Sequence, residues 1–291
     1  MAPLIAGQSA ACIAGRGTKL AVRLLVRSWN VFHGNAAAPE RGHYLERMIR
    51  LATEGDVDVV CLQEVPAWAL PRLGDWSGMT SVGEVTARPV FGPIPIPAEL
   101  GRRLTDLHHG LLRSAFSGQG NAILLRPDLR VLERYSIGLN TPSFRRAKAR
   151  ELDLDWRRRL AWAKERRICL AVRTELEPGR PALIANLHAT SSSDPRLPDA
   201  ELLRAAVFAD ALAQPGELLV LAGDFNVPRE TSATLAELTG PEWGFSDPGP
   251  WIDHVLVRGA KASPHAVWSE DQRRLDGRVL SDHAPVEVEI S

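Results

Sequence analysis

Apolar residues in this chain gather into short unbroken runs, and most of those runs stop at a carboxylate, a carboxamide or a histidine. The stretch Glu217-Leu218-Leu219-Val220-Leu221-Ala222-Gly223-Asp224-Phe225-Asn226 shows the pattern best. An apolar strand stops at a glycine, and Asp224 and Asn226 follow two positions apart, expected on one side of an extended backbone. Continuous runs of this length, without polar alternation, are those of strands buried on both faces. Similar strands are expected at 21–29, ending at Asn30, and at 56–62, ending at Gln63-Glu64. Others are expected at 121–125, at 168–176 and at 182–186, which ends in Leu187-His188. The last two are 251–257, carrying Asp253-His254, and the alternating 286–290 that follows Ser281-Asp282-His283.

Helical spacing appears between the strands. Tyr44, Leu45, Met48, Ile49 and Ala52 recur on one face and predict a helix over 44–52. The spacing over Ala200–Ala213 predicts a longer one, closed by Pro215-Gly216, and a short one is expected over 231–238. Residues 66–120 are rich in Pro, Gly and Trp, and the run from Pro89 to Pro97 excludes a central strand, so loops with short helices are expected there. His108-His109 falls in this region; adjacent side chains point apart, so the pair is expected to be an exposed loop feature and not a metal site. Strands and helices interleave without repeat or long linker, which implies one α/β domain over 21–291 behind a loosely ordered leader, 1–20.

Composition narrows the choice. With 291 residues, 45% hydrophobic and 24% charged, the chain has an ordinary globular make-up. Its 35 basic and 35 acidic residues cancel, so any affinity for a polyanion must come from a local patch. One candidate is 145–167, where ten basic side chains outnumber four acidic ones. That stretch is either a solvated helical face with internal ion pairs or a ridge facing phosphates, in which Trp156 and Trp162 would stack on bases or fill core. The three cysteines are far apart, and Cys61 and Cys169 lie in strand-like runs, which points to buried free thiols and a reducing compartment. No apolar run approaches the roughly 18 residues of a membrane span. The first 20 residues lack a signal peptide's basic segment. A cytoplasmic location is therefore expected.

The chemistry resides in the strand ends: Asn30, Glu64, His188, Asp224, Asn226, Asp253, Asp282 and His283. Buried polar groups of this kind need a partner or a purpose. Carboxylate and carboxamide oxygens suit Mg²⁺ or Mn²⁺, whereas the closely spaced Cys and His ligands of a zinc site are missing. A hard divalent ion with two histidines and several carboxylates matches hydrolysis at phosphorus. No Gly-x-Ser-x-Gly elbow, phosphate-binding Gly-x-x-x-x-Gly-Lys or Gly-x-Gly-x-x-Gly motif supports another class of enzyme.

In order, Trp29-Asn30, Leu62-Gln63-Glu64, Asn186-Leu187-His188, Gly223-Asp224-Phe225-Asn226, Ile252-Asp253-His254 and Ser281-Asp282-His283 resemble the endonuclease/exonuclease/phosphatase superfamily, with its DNase I-like fold. The resemblance implies a four-layer α/β/β/α sandwich of two packed mixed sheets with outer helices, and an active site at one end. It also implies roles. Glu64 would be the principal metal ligand, with Asn30 beside it and Asp282 as a further acidic residue near the ion. His283, supported by Asp253, would orient or deprotonate water, Asp224 and Asn226 would contact the nucleophile and scissile phosphate, and His188 would donate to phosphoryl oxygens or the leaving group. Some members carry an acid two positions after the first Asn; Phe32 stands there in this chain. The expected activity is metal-dependent phosphodiester hydrolysis of nuclease type, with nucleic acid engaged through 145–167. The alternatives are a small-molecule or lipid phosphoesterase, expected to have a deep narrow pocket near Trp251 and the 86–118 loops, and an inactive scaffold.

Overall fold

In a computed structural model of the chain, the structure describes residues 23–91, 94–107, 109 and 116–291. The expected leader 1–20, Cys12 within it, and His108 lie outside the described residues.

In chain order the strands are β1 (Leu24–Asn30), β2 (Val59–Val65), β3 (Thr80–Ala87), β4 (Val90–Phe91), β5 (Ile94–Pro95), β6 (Gln119–Leu125), β7 (Arg130–Gly138), β8 (Ile168–Glu177), β9 (Arg180–His188), β10 (Leu218–Asp224), β11 (Asp253–Arg258), β12 (Ala266–Val267), β13 (Arg274–Leu275), β14 (Arg278–Val279) and β15 (Val286–Ile290). They form a six-stranded sheet in the order β12-β15-β1-β2-β6-β3 and a five-stranded sheet in the order β11-β10-β9-β8-β7. Both sheets are mixed: β1 runs parallel to β2 and antiparallel to β15, while β10 runs parallel to β9 and antiparallel to β11.

Period-two alternation distributes each strand between two cores. Val26, Cys61 and Ile123 of the first sheet face Val172, Ile184, Val220 and Val255 of the second. The alternate residues Leu183, Leu219 and Leu221 turn outward, against Leu202, Ala205 and Ala209 of the helix Arg196–Leu212. On the far side Trp29, Val60, Leu62 and Leu124 pack on Leu45, Met48 and Ile49 of the helix Leu45–Ala52. Four layers result, as expected. Each fully buried Leu or Ile contributes about 2 kcal/mol of transfer free energy, which is why central strands carry apolar residues on both faces.

The region 66–120 departs from expectation. It contains β3, paired antiparallel with β6 at the sheet edge, as well as the β4–β5 hairpin and the helix Ala98–Leu107. β3 is half-exposed along its length, so it lacks the apolar run that marks a central strand. The edge strand β7 is mostly polar for the same reason. His109 is not an exposed loop residue: it is buried, with Nε2 2.7 Å from the carbonyl oxygen of His33. Cys61 and Cys169 are buried free thiols, and burial pushes the Cys61 thiol up to about 12. Among the described residues no helix is long and apolar enough to cross a membrane.

Candidate active site

Toward one end of the sandwich the inward-facing positions change from apolar to polar. Ser28 and Asn30 follow Val26 on β1, Gln63 follows Cys61 on β2, Asn186 and His188 follow Ile184 on β9, and Asp224 follows Ala222 on β10. All are buried, so the polar cluster continues the inter-sheet core. Its base is a carboxamide clasp. Gln63 Nε2 donates to Asn186 Oδ1 at 2.8 Å, and Asn186 Nδ2 donates to the carbonyls of Leu62 and Ala122, which ties the two sheets together.

Gly223 is fixed by the close approach of β9. A Cβ there would lie 1.9 Å from the Leu187 carbonyl oxygen, at a φ of +137° that side chains rarely adopt. Asp224 follows at the strand end. Asn30 Nδ2 donates to its Oδ2 at 2.9 Å, and the backbone N–H of Asn226 donates to its Oδ1 at 3.1 Å. Asn226 is not on extended backbone as expected: it lies beyond β10 with φ +52°, in a turn closed by that bond, and its Nδ2 donates to the Ala189 carbonyl at 3.0 Å.

Glu64 enters by a different route. Strict alternation would turn it outward, but the β2–β6 register shifts between Leu62 and Val65, and Glu64 takes φ +55°. The bulge carries its carboxylate to the site. Phe32, His33, Glu64, Asn226 and Ser281 are five of the seven described non-glycine residues with positive φ, so unusual backbone concentrates here.

A continuous line of contacts results. His33 Nε2 lies 3.2 Å from Glu64 Oε2, and Glu64 Oε1 lies 3.9 Å from His188 Nε2. His188 Nε2 stands 3.4 Å from Asp224 Oδ2, which is 3.8 Å from His283 Nε2. His283 Nδ1 closes on Asp253 Oδ2 at 2.8 Å. The His283 loop is held by Ser281, whose Oγ donates to the Asn30 carbonyl at 2.6 Å and accepts from the His283 N–H at 3.0 Å. Asp282 is exposed on the same loop, and its charge adds to the field on His283.

Electrostatics separate the two histidines. Burial alone would lower His283, but the hydrogen bond to Asp253 and the charge of Asp224 outweigh it and raise the imidazole to about 10. Burial, and then the charges of Arg167 and His283, push His188 well below its ordinary value, so it is neutral. Arg167 Nη1 lies 3.0 Å from its Nδ1 and 3.2 Å from its Nε2, so the guanidinium donates to the ring, and Nε2 also faces Asp224. Burial, then the Asp253 charge, raises Asp224 to about 7, with His283 and Asn30 opposing.

Asp224, Asp253 and His283 offer donor atoms within 4.8 Å of one another, an arrangement able to hold a cation. Oδ1 of Asp253 is buried without a hydrogen-bond partner, and the elevated Asp224 marks negative charge that a cation would offset. An oxygen-rich donor set with one imidazole fits a hard divalent ion.

Beside Glu64 a cleft of about 1010 Å³ opens, bounded by Phe32, His33, Glu84, Thr86, Arg88, Gln119, Lys164 and Arg166. Trp251 is not among its walls; it is 72% exposed elsewhere. The basic stretch divides. Trp162 is core and donates to Glu201, Trp156 is 68% exposed, and Arg167 lies inside the site. Lys148 and Arg158 form ion pairs with Glu151 and Asp155.

The structure brings together Asn30, Glu64, His188, Asp224, Asn226, Asp253 and His283, with Asp282 at the rim. His33, Arg167 and Ser281 join them without having been expected from the sequence. His33 sits in a one-turn helix, Phe32–Gly34, just after β1, and Arg167 is hidden among neighbouring charges.

Two packed mixed sheets with helices outside, and carboxylates and histidines converging at strand ends, define a DNase I-like α/β sandwich. A model of the endonuclease/exonuclease/phosphatase family matches residues 28–283, and the chain belongs to that family, whose members are phosphoester hydrolases. No curated protein sequence matches the chain. Solved structures do. A conserved protein of unknown function from Enterococcus faecalis V583 matches with a TM-score of 0.62 and 18% identity, covering 92% of this chain and 99% of that one. A mannosyl-6-phosphatase from Bacteroides thetaiotaomicron matches with 0.61 and 18%, over 92% and 99%. TDP2 from Caenorhabditis elegans matches with 0.55 and 13%, over 92% and 74%. At these identities the likeness is one of fold.

Proposed function

We propose that this protein is a divalent-metal-dependent phosphodiesterase of nuclease type that cleaves by in-line attack of water. The observation that carries the reading is the His283–Asp253 contact of 2.8 Å, set 3.8 Å from Asp224 on the contact line that leads to Glu64. Glu64 and Asn30 would hold the ion, with Asp282 near it. The Asp224–Asp253–His283 group serves better as reaction machinery than as the ligand set, because a metal on it would occupy His283 Nε2, the nitrogen that must face water. Mg²⁺ or Mn²⁺, when bound, polarises a non-bridging phosphoryl oxygen.

The side chains do the remaining work. Asp253 fixes the ring of His283 through Nδ1, which leaves Nε2 for water. The resting imidazolium must first lose its proton, and neutral His283 then orients the water and accepts a proton from it. Asp224, 3.8 Å from His283 Nε2, would contact the same water, and Asn226 the scissile phosphate. His188, held neutral by burial and the Arg167 charge, donates its ring N–H to a phosphoryl oxygen or the leaving group.

Arg88, Lys164 and Arg166 on the cleft wall, where Glu84 and Glu165 are already paired with Arg134 and Arg167, and a volume at the upper limit of small-ligand pockets, favour a nucleic-acid strand. A panel of single-stranded DNA, RNA, a phosphoinositide and a sugar phosphate, each with Mg²⁺ and Mn²⁺, tests the reading. Cleavage of the nucleic acids with a steep loss of affinity in salt supports it; turnover confined to the sugar phosphate or the lipid overturns the nuclease assignment.

A further inference from the structure

A second recess lies outside the cleft, between the helices Pro142–Glu151 and Trp156–Trp162. It has a volume of about 300 Å³, and Arg145, Arg146, Arg150 and Arg159 line it over Trp162, with no carboxylate in the lining. A solvated charged face would interleave acids with these arginines. Here three of the four acids of the region pair with other partners: Glu151 with Lys148, Asp155 with Arg158 and Glu165 with Arg167. Arg145 and Arg159 are each anchored by one bond, to the carbonyls of Asn140 and Leu154, which fixes them and leaves further N–H groups to donate. Arg146 and Arg150 form no ion pair among the described residues. Several guanidinium groups converging on one recess without counter-charge make a receptor for an oxyanion.

Two more observations identify the anion. Positions 156, 159, 160 and 163 share one helical face. Arg159 and Ala163 line the recess, so Trp156, 68% exposed with the Arg157 guanidinium 5.4 Å from its ring centroid, lies on the face that carries two of the lining residues. An exposed indole on the helical face that borders a basic recess suits a base next to its phosphate. The recess and the cleft also adjoin along the chain: Ala163 lines one, and Lys164 and Arg166 line the other.

We propose that this recess is a second phosphate subsite for a single-stranded nucleic acid, with a base stacked on Trp156 and the scissile phosphate at Glu64. The inference rests on the nuclease reading above. A membrane surface fits less well, because the helix has seven residues and the guanidinium groups line a recess and not a plane.

The test uses the full chain in excess chelator, where binding is measured without cleavage. Fluorescence anisotropy is followed for a single-stranded oligothymidylate of about 12 nucleotides, within the usual site sizes, and for a dinucleotide. The double variant Arg146→Ala/Arg150→Ala is expected to bind the long strand about tenfold more weakly, with a salt slope smaller by about 0.7 for each phosphate no longer neutralised. Trp156→Ala is expected to weaken binding about tenfold with the slope unchanged, as stacking requires. Dinucleotide affinity and metal-activated hydrolysis of bis(p-nitrophenyl) phosphate stay at wild-type levels in both variants. Wild-type affinity and slope for the long strand in the variants, with hydrolysis intact, overturns the subsite alone. No oligonucleotide binding by the wild-type chain overturns the nuclease reading as well. Binding to phosphatidylserine vesicles that the same substitutions abolish, without an effect on oligonucleotides, overturns the subsite in favour of a membrane.

Discussion

His33 Nε2 lies 3.2 Å from Glu64 Oε2, and the two residues reach each other through positive φ angles on different strand ends. The Ser117 hydroxyl donates to the Gly118 carbonyl at 3.1 Å and sits 3.3 Å from His33 Nδ1, so it tethers the ring whose Nε2 faces the carboxylate. His33 thereby fixes one oxygen of Glu64 and turns the other toward His188 and the cleft. Partners that orient a metal-binding carboxylate are typically worth about 10- to 100-fold in affinity. His33→Ala should therefore weaken Mn²⁺ binding by about that factor in an electron paramagnetic resonance titration, with partial recovery in His33→Gln. Unchanged Mn²⁺ affinity would remove His33 from the account.

The elevation of His283 gives a direct reading. In metal-free protein its imidazole should titrate near 10 by NMR, and Asp253→Asn, which removes the hydrogen-bonded charge, should bring it down. The raised value has a sign for stability. The folded state holds this proton more tightly than the unfolded chain, so the contribution is complete below about 6.5 and is lost as pH rises through about 10. His283→Ala should cost about 10²- to 10⁴-fold in rate. A titration at or below 6.5 contradicts the dyad.

Acid should act in the opposite sense. Burial holds His188, His254 and His265 below their ordinary values, His265 at about 4, where its Nε2 accepts from the Val255 N–H at 3.0 Å. The unfolded chain takes up these protons first, so the stability they contribute is intact above about 6.5 and is lost as pH falls through the folded values, about 4 for His265. Urea midpoints should fall between pH 6.5 and 4, and less steeply in His265→Gln. Identical midpoint profiles in that variant and the wild type would contradict the role of His265.

Gly223→Ala should destabilise the fold by on the order of 3 kcal/mol or more, since backbone must move where Leu187 lies 1.9 Å from the new Cβ. Denaturant midpoints measure this. A wild-type midpoint would show that β9 and β10 can separate at little cost.

Much of this architecture was legible because central strands are buried on both faces. The runs ending at Asn30, His188 and Asp224 announce themselves by apolar continuity broken at a polar residue. β3 and β7 were not legible, because edge strands need only one apolar face. Glu64 could be named from its place after Leu62-Gln63, but not the bulge that turns it inward, because the displacement depends on pairing with β6. His33 left no signal. Its function depends on a one-turn helix with left-handed backbone and on Glu64 arriving from another strand. Arg167 was masked by charged neighbours, most of which face water while it is buried against His188.

The central claim is that Glu64 serves a metal-dependent phosphodiesterase, and the most direct measurement is initial-rate hydrolysis of bis(p-nitrophenyl) phosphate with Mn²⁺ or Mg²⁺. The wild-type chain should turn over with either ion and stop in excess chelator, and Glu64→Gln should lose about 10²-fold or more in rate. Hydrolysis that persists in chelator, or that Glu64→Gln leaves unchanged, would contradict the account.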